Sequence, residues 1–151
     1  MTRDTEAEPI ELLTFKLADQ KYALEITSVR EIRGSTHATP LPQSPACMKG
    51  VINLRGTVLP VIDLGERLGL PPSAHNDRSV IIVVALEDRL TGLLVDAVSD
   101  IVTLATDDLR PPPTMSKSSK SMVTALAVIE DKMVRVLDLT ATLDDMERPA
   151  A

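Results

Sequence analysis

Apolar and polar residues alternate with a period of two near the start of this chain. Leu13, Phe15 and Leu17 interleave with Thr14, Lys16 and Ala18, and Tyr22, Leu24 and Ile26 interleave with Ala23, Glu25 and Thr27. Side chains two apart share one face of a strand, so the pattern predicts a β-hairpin with one face buried, turning at Asp19-Gln20-Lys21. Pro40, Pro42 and Pro45 punctuate the next connection, because proline lacks the amide donor a central strand needs. Residues 49–64, KGVINLRGTVLPVIDL, then set two dense apolar runs around a polar turn whose tip carries Asn53, Arg55 and Gly56. They predict a buried hairpin that holds up one charge. An arginine has high side-chain entropy and a permanent charge, so fixing it on a rigid hairpin favours recognition over packing.

The chain also repeats itself. Leu17, Asp19, Leu24, Ile26, Val29, Glu31 and Ile32 meet Leu86, Asp88, Leu93, Val95, Val98, Asp100 and Ile101 at an offset of 69 positions. At an offset of 75, Val61-Ile62-Asp63-Leu64 falls on Val136-Leu137-Asp138-Leu139, and Asn53-Leu54-Arg55-Gly56 falls on Val128-Ile129-Glu130-Asp131. Each half offers about five short strands, enough for a small closed barrel that hides its own edges. The expected fold is therefore all-β, with two five-stranded β-barrels in tandem. The first spans about 11–70, a linker about 71–78 and the second barrel about 79–139. Short helices are expected at 65–68 and at 140–146, the second with Leu143 and Met146 at helical spacing. The folded unit is expected over 11–146, with 1–10 and 147–151 as flexible tails and 111–121 as a loop of Pro, Ser, Thr and Lys.

Composition narrows the function. The hydrophobic fraction of 44% suffices for a packed interior, with one Phe, one Tyr and no Trp among 151 residues, so the core is aliphatic. The same scarcity of aromatics removes base stacking and aromatic ligand cages. A net charge of −6 with no Lys/Arg run opposes nucleic acid and anionic membranes, which demand a clustered positive field. The longest unbroken apolar run is Val80 to Leu86, far short of the ~20 residues of a membrane span, and the N-terminus has no apolar signal core. A cytoplasmic protein is expected.

Catalytic and metal chemistry find little support. One cysteine, Cys47, excludes an internal disulfide, and with only His37 and His75 no soft-ligand metal set can be assembled. There is no Gly-x-Ser-x-Gly elbow, and the six glycines are dispersed among turns instead of cradling a phosphate. Asp63, Asp96 and Asp138 each follow an apolar strand, where an Asp ordinarily caps the next turn or helix. Cys47 reads as a small buried hydrophobe. No enzyme, cofactor or metal site is expected.

Three motifs carry a family resemblance: Val29-Arg30-Glu31-Ile32-Arg33-Gly34; Lys49 to Gly56 with Pro60-Val61-Ile62-Asp63-Leu64; and Gly92-Leu93-Leu94-Val95-Asp96 leading to Val98-Ser99-Asp100. In order and spacing they closely resemble the CheW family, the adaptor that couples chemoreceptors to the histidine kinase CheA in bacterial chemotaxis arrays. The likeness runs from Leu12 to Leu143. It implies two SH3-like β-barrels around a shared hydrophobic centre, and a non-catalytic scaffold acting through protein–protein interaction in signal transduction. It implies the CheA regulatory domain and the cytoplasmic tip of methyl-accepting chemoreceptors as partners, with recruitment from the cytoplasm to membrane-associated arrays. Arg55 and Glu31 become the leading receptor-binding candidates, with Val29, Asn53 and Leu54 beside them; no residue is assigned to the kinase. Two departures, Gly65-Glu66 where many members carry a basic residue and Thr124 to Ala127 where many carry a glycine-rich turn, bear on the kinase-facing contacts. The rival readings are a CheW-like scaffold of a non-flagellar chemosensory pathway with its own kinase and, more remotely, a small-molecule-binding barrel.

Overall fold

The computed structural model describes residues 9–34, 38–44, 46–70, 79–111 and 122–143. It contains ten strands: β1 Pro9–Leu17, β2 Gln20–Glu25, β3 Val29–Gly34, β4 Met48–Leu54, β5 Thr57–Asp63, β6 Val80–Leu86, β7 Arg89–Val95, β8 Ala97–Ala105, β9 Val123–Ile129 and β10 Lys132–Leu137. Two short helices, α1 Leu64–Arg67 and α2 Leu139–Leu143, follow β5 and β10. Asp63 and Asp138 cap them, accepting from the amides of Glu66 and Ala141, both at 3.2 Å. The helix expected at 65–68 begins one residue earlier, and that expected at 140–146 begins at Leu139, its residues from 144 lying outside the described ones.

The hairpins are tight. Ala18-Asp19, Arg55-Gly56 and Glu130-Asp131 each place two residues at positive φ, a geometry whose twist matches that of the flanking strands. The first turn thus sits one residue earlier than the expected Asp19-Gln20-Lys21, since Leu17 pairs with Gln20 and Lys21 already lies in β2. Alternation fixes which face a strand buries and leaves the turn position open, and Ala18 is small enough to take either role.

The strands form two five-stranded sheets, β8-β1-β2-β10-β9 and β3-β6-β7-β5-β4. Replacing each strand by its partner in the repeat converts one order into the other. The sheets nevertheless correct the expected division of the barrels into 11–70 and 79–139, because each sheet takes two strands from one half and three from the other. Only Asp96 separates β7 from β8, fewer than the two residues a hairpin requires, and the 3-10 turn Ile26–Ser28 redirects the chain between β2 and β3. The third strand of each half therefore crosses into the other sheet, and parallel pairings β2·β10 and β5·β7 stitch the halves together. Past β3 and β8 the chain returns to the far edge: Thr39 pairs with Val51 of β4 and Arg110 with Leu126 of β9, so each sheet curls towards closure.

Both faces of β1 and β6 are buried. Leu13, Phe15 and Leu17 join Ile82, Val84, Leu93, Val95, Leu137 and Leu143 in an apolar centre shared by the two sheets. From the opposite face, Leu12 enters the interior of the first barrel with Ala23, Val134 and Val136, while Ile81 and Val83 enter the second with Ile52, Leu54, Leu59 and Val61. The first hairpin accordingly buries more than the one face expected: Leu12, Thr14 and Ala23 are inside as well. Cys47 is buried in the shared centre, which pushes its thiol pKa up by desolvation.

Gly50 marks where β4 approaches the returning chain. Its φ is +144°, and a Cβ there would stand 2.2 Å from the Thr39 carbonyl oxygen. Neither backbone can yield without breaking the Thr39·Val51 bridge. Gly50→Ala is expected to lower the unfolding free energy by about 3 kcal/mol, measured by urea denaturation; a loss below about 1 kcal/mol would show that the barrel closes without this contact.

Candidate functional site

The edge strands β3 and β4 lie at opposite ends of one sheet, and curling brings them together at a seam. A bulge between Val29 and Glu31 re-aims the acid, which then lies opposite Val83, a residue of the barrel interior. Glu31 and Arg33 therefore project over the seam, while Ile32, opposite Ile82, faces the side of the shared centre. Across the seam the Arg55-Gly56 turn adopts φ of 50° and 90°, and the Asn53 side-chain oxygen accepts from the Gly56 amide at 2.9 Å, holding it in shape.

Arg55 Nη2 donates to Glu31 Oε1 at 2.7 Å and Arg33 Nη1 donates to Glu31 Oε2 at 2.9 Å. One carboxylate thus gathers two guanidiniums. Hydrogen bonds from Arg55 and then Arg33 hold the Glu31 carboxyl below its ordinary pKa, and the same pairing raises that of Arg55. The Arg55 side chain stays 71% exposed and that of Glu31 only 24%. At the opposite end of β4, Lys49 pairs with Glu66 at 3.1 Å, giving one of the departing residues a structural partner.

The five residues singled out from the sequence separate into four groups. Glu31 and Arg55 meet directly; Asn53 is exposed and shapes the turn; Val29 is half-buried against the shared centre. Leu54 instead points into the barrel interior, 6% exposed, so its contribution is to anchor the turn from below. Sequence reasoning missed Arg33, although the period of two already put it on the face of Glu31. Of the three strand-end aspartates, Asp63 and Asp138 cap helices, and Asp96 accepts from the Ala18 amide at 2.9 Å, bracing a turn 78 residues away. Residues 124–127 form part of β9 and not a turn. His37, His75 and most of the 111–121 loop lie outside the described residues.

The fold is two interlocked five-stranded sheets with a charged turn at an exposed seam. The chain belongs to the CheW-like domain family, whose profile matches residues 11–147, a chemotaxis scaffold and adaptor family. It is 45% identical to a probable chemotaxis protein CheW of Rhizobium etli over 142 residues, covering 93% of this chain and 92% of the relative. Identity is 44% to the chemotaxis protein CheW of Rhizobium meliloti, with the same coverage. Among solved structures, the scaffolding protein TtCheW of Thermoanaerobacter tengcongensis superposes with a TM-score of 0.86 at 31% identity, over 94% of this chain and 97% of that one.

The lowered pKa of Glu31 has a pH signature. A depressed carboxylate contributes stability above its unfolded pKa and loses it as pH falls through the folded value. Titration of the Glu31 carboxyl by NMR is expected to show a pKa below the ordinary glutamate value that moves back towards it in Arg55→Gln; an unchanged value would mean that the pair does not persist in solution.

Proposed function

We propose that this protein is a non-catalytic adaptor that couples chemoreceptors to the histidine kinase CheA. The observation that carries the reading is the Glu31–Arg55 pair, held at an open seam by a bulge on one side and an Asn53-braced turn on the other. Fixing these charges at the rim of an aliphatic fold suits recognition. The receptor tip docks along this seam, with Val29 flanking the pair and Leu54 supporting it from inside. Another surface engages the regulatory domain of the kinase, and receptor docking then biases the kinase between states; a coupling of about 1–3 kcal/mol is enough. The protein works from the cytoplasm and is recruited to membrane-associated receptor arrays. Among the described residues, no helix is long and apolar enough to cross a membrane, in keeping with recruitment through partners. The chemotaxis names of the relatives weigh against a scaffold for another chemosensory output.

Calorimetric titration of the full chain with a CheA regulatory domain, and separately with a receptor cytoplasmic fragment, both from the same genome, tests the reading. Saturable binding to each is expected. Arg55→Glu should weaken receptor binding by about tenfold or more and leave kinase binding intact. Unaltered receptor affinity in that variant would remove the seam from the receptor interface, and absence of kinase binding would sink the coupling role.

A further inference from the structure

The seam is left with an excess of positive charge and of donors. Both oxygens of Glu31 are engaged, one by Arg55 and one by Arg33, so two guanidiniums share a single carboxylate. Each guanidinium carries five N–H donors, and each spends one nitrogen on Glu31. Arg33 Nε is buried and has no acceptor among the described residues, while the Arg55 side chain faces solvent. This local surplus of positive charge sits on a chain whose net charge is −6.

The internal repeat supplies a control. The positions of Glu31, Arg33 and Arg55 recur in the other barrel as Asp100, Val102 and Glu130. They line a hollow of about 140 Å³, with Thr14, Ile129 and Val134 and with Lys21 and Lys132 on β2 and β10. Carboxylates hold the positions of Glu31 and Arg55 there, and the position of Arg33 is taken by the apolar Val102.

We infer that the partner docking at the Glu31–Arg55 seam places an Asp or Glu side chain between Arg33 and Arg55. The inference rests on the docking reading above and names the chemistry of the partner's contact. The incoming carboxylate accepts from the unspent guanidinium donors, in the forked geometry that arginine favours, and a turn of Arg33 towards it gives Nε an acceptor. At the other seam the same side chain meets Asp100 and Glu130, whose charges Lys21 and Lys132 balance in the same hollow, and no arginine fork lines it. A partner with one acidic anchor therefore distinguishes two barrels of nearly the same shape, and docks in one orientation.

The test is a titration of the full chain with the cytoplasmic tip fragment of a receptor from the same genome, at low and at physiological salt. Arg33→Gln is expected to raise Kd about tenfold, Arg33→Lys, which keeps charge without the fork, to fall between, and Glu130→Gln to change nothing. Neutralising the acidic residues of the fragment one at a time should reveal one whose loss weakens the wild type about tenfold and the Arg33→Gln protein hardly at all. If Arg33→Gln is folded and binds as the wild type does, or if no acidic residue couples to Arg33, the inference is overturned while the docking reading stands. If Arg33→Gln does not fold, the Arg33→Lys protein and the same cycle decide. A wild type that fails to bind the fragment overturns the docking reading and this inference with it.

Discussion

The apolar centre between the two sheets is the constraint on which the rest depends. It draws on β1 and β2 from one sheet and on β5, β6 and β7 from the other, and it is closed by Leu137, Leu139 and Leu143 at the end of the described chain. A fully buried side chain of this kind contributes about 1.5–3 kcal/mol, so the centre outweighs the surface ion pairs many times over. Because β1 and β6 also line the barrel interiors with their opposite faces, each barrel wall is simultaneously part of the common core. The uninterrupted run Val80 to Leu86 is the sequence trace of that double burial.

Much of this was legible in the sequence. Alternation located β1 and β2, the glycine at the second hairpin tip matched a turn needing positive φ, and the repeat announced two equivalent five-stranded units. Strand exchange was not legible, because periodicity records which side chains are buried and says nothing of which neighbour buries them. The single residue between β7 and β8 was the one clue, and it can be weighed only once the strand ends are known. Leu54, a candidate that the family resemblance implied, lies inside the barrel, and alternation with Asn53 already sent it there.

At the site, Arg55 was marked by its apolar hairpin and Glu31 by the family motifs, and the structure adds the reason they meet. They belong to edge strands that a flat drawing of the sheet would place farthest apart. Barrel curvature turns the two ends of one sheet into neighbours, and the bulge at Val29/Glu31 supplies the local change of direction. Arg33 enters by the same geometry. The charge cluster is thus a product of closure, and it differs between the barrels because the side chains of Glu31, Arg33 and Arg55 are replaced by Asp100, Val102 and Glu130 on frames of the same topology.

Interlocking also changes what counts as a part. Dividing this protein at residues 71–78 would yield two pieces, neither of which holds all five strands of either sheet. Each piece would carry the missing strands of its counterpart, so the two could regain the fold only by assembling together. The halves are templates for one another, and the unit on which selection acts is the pair.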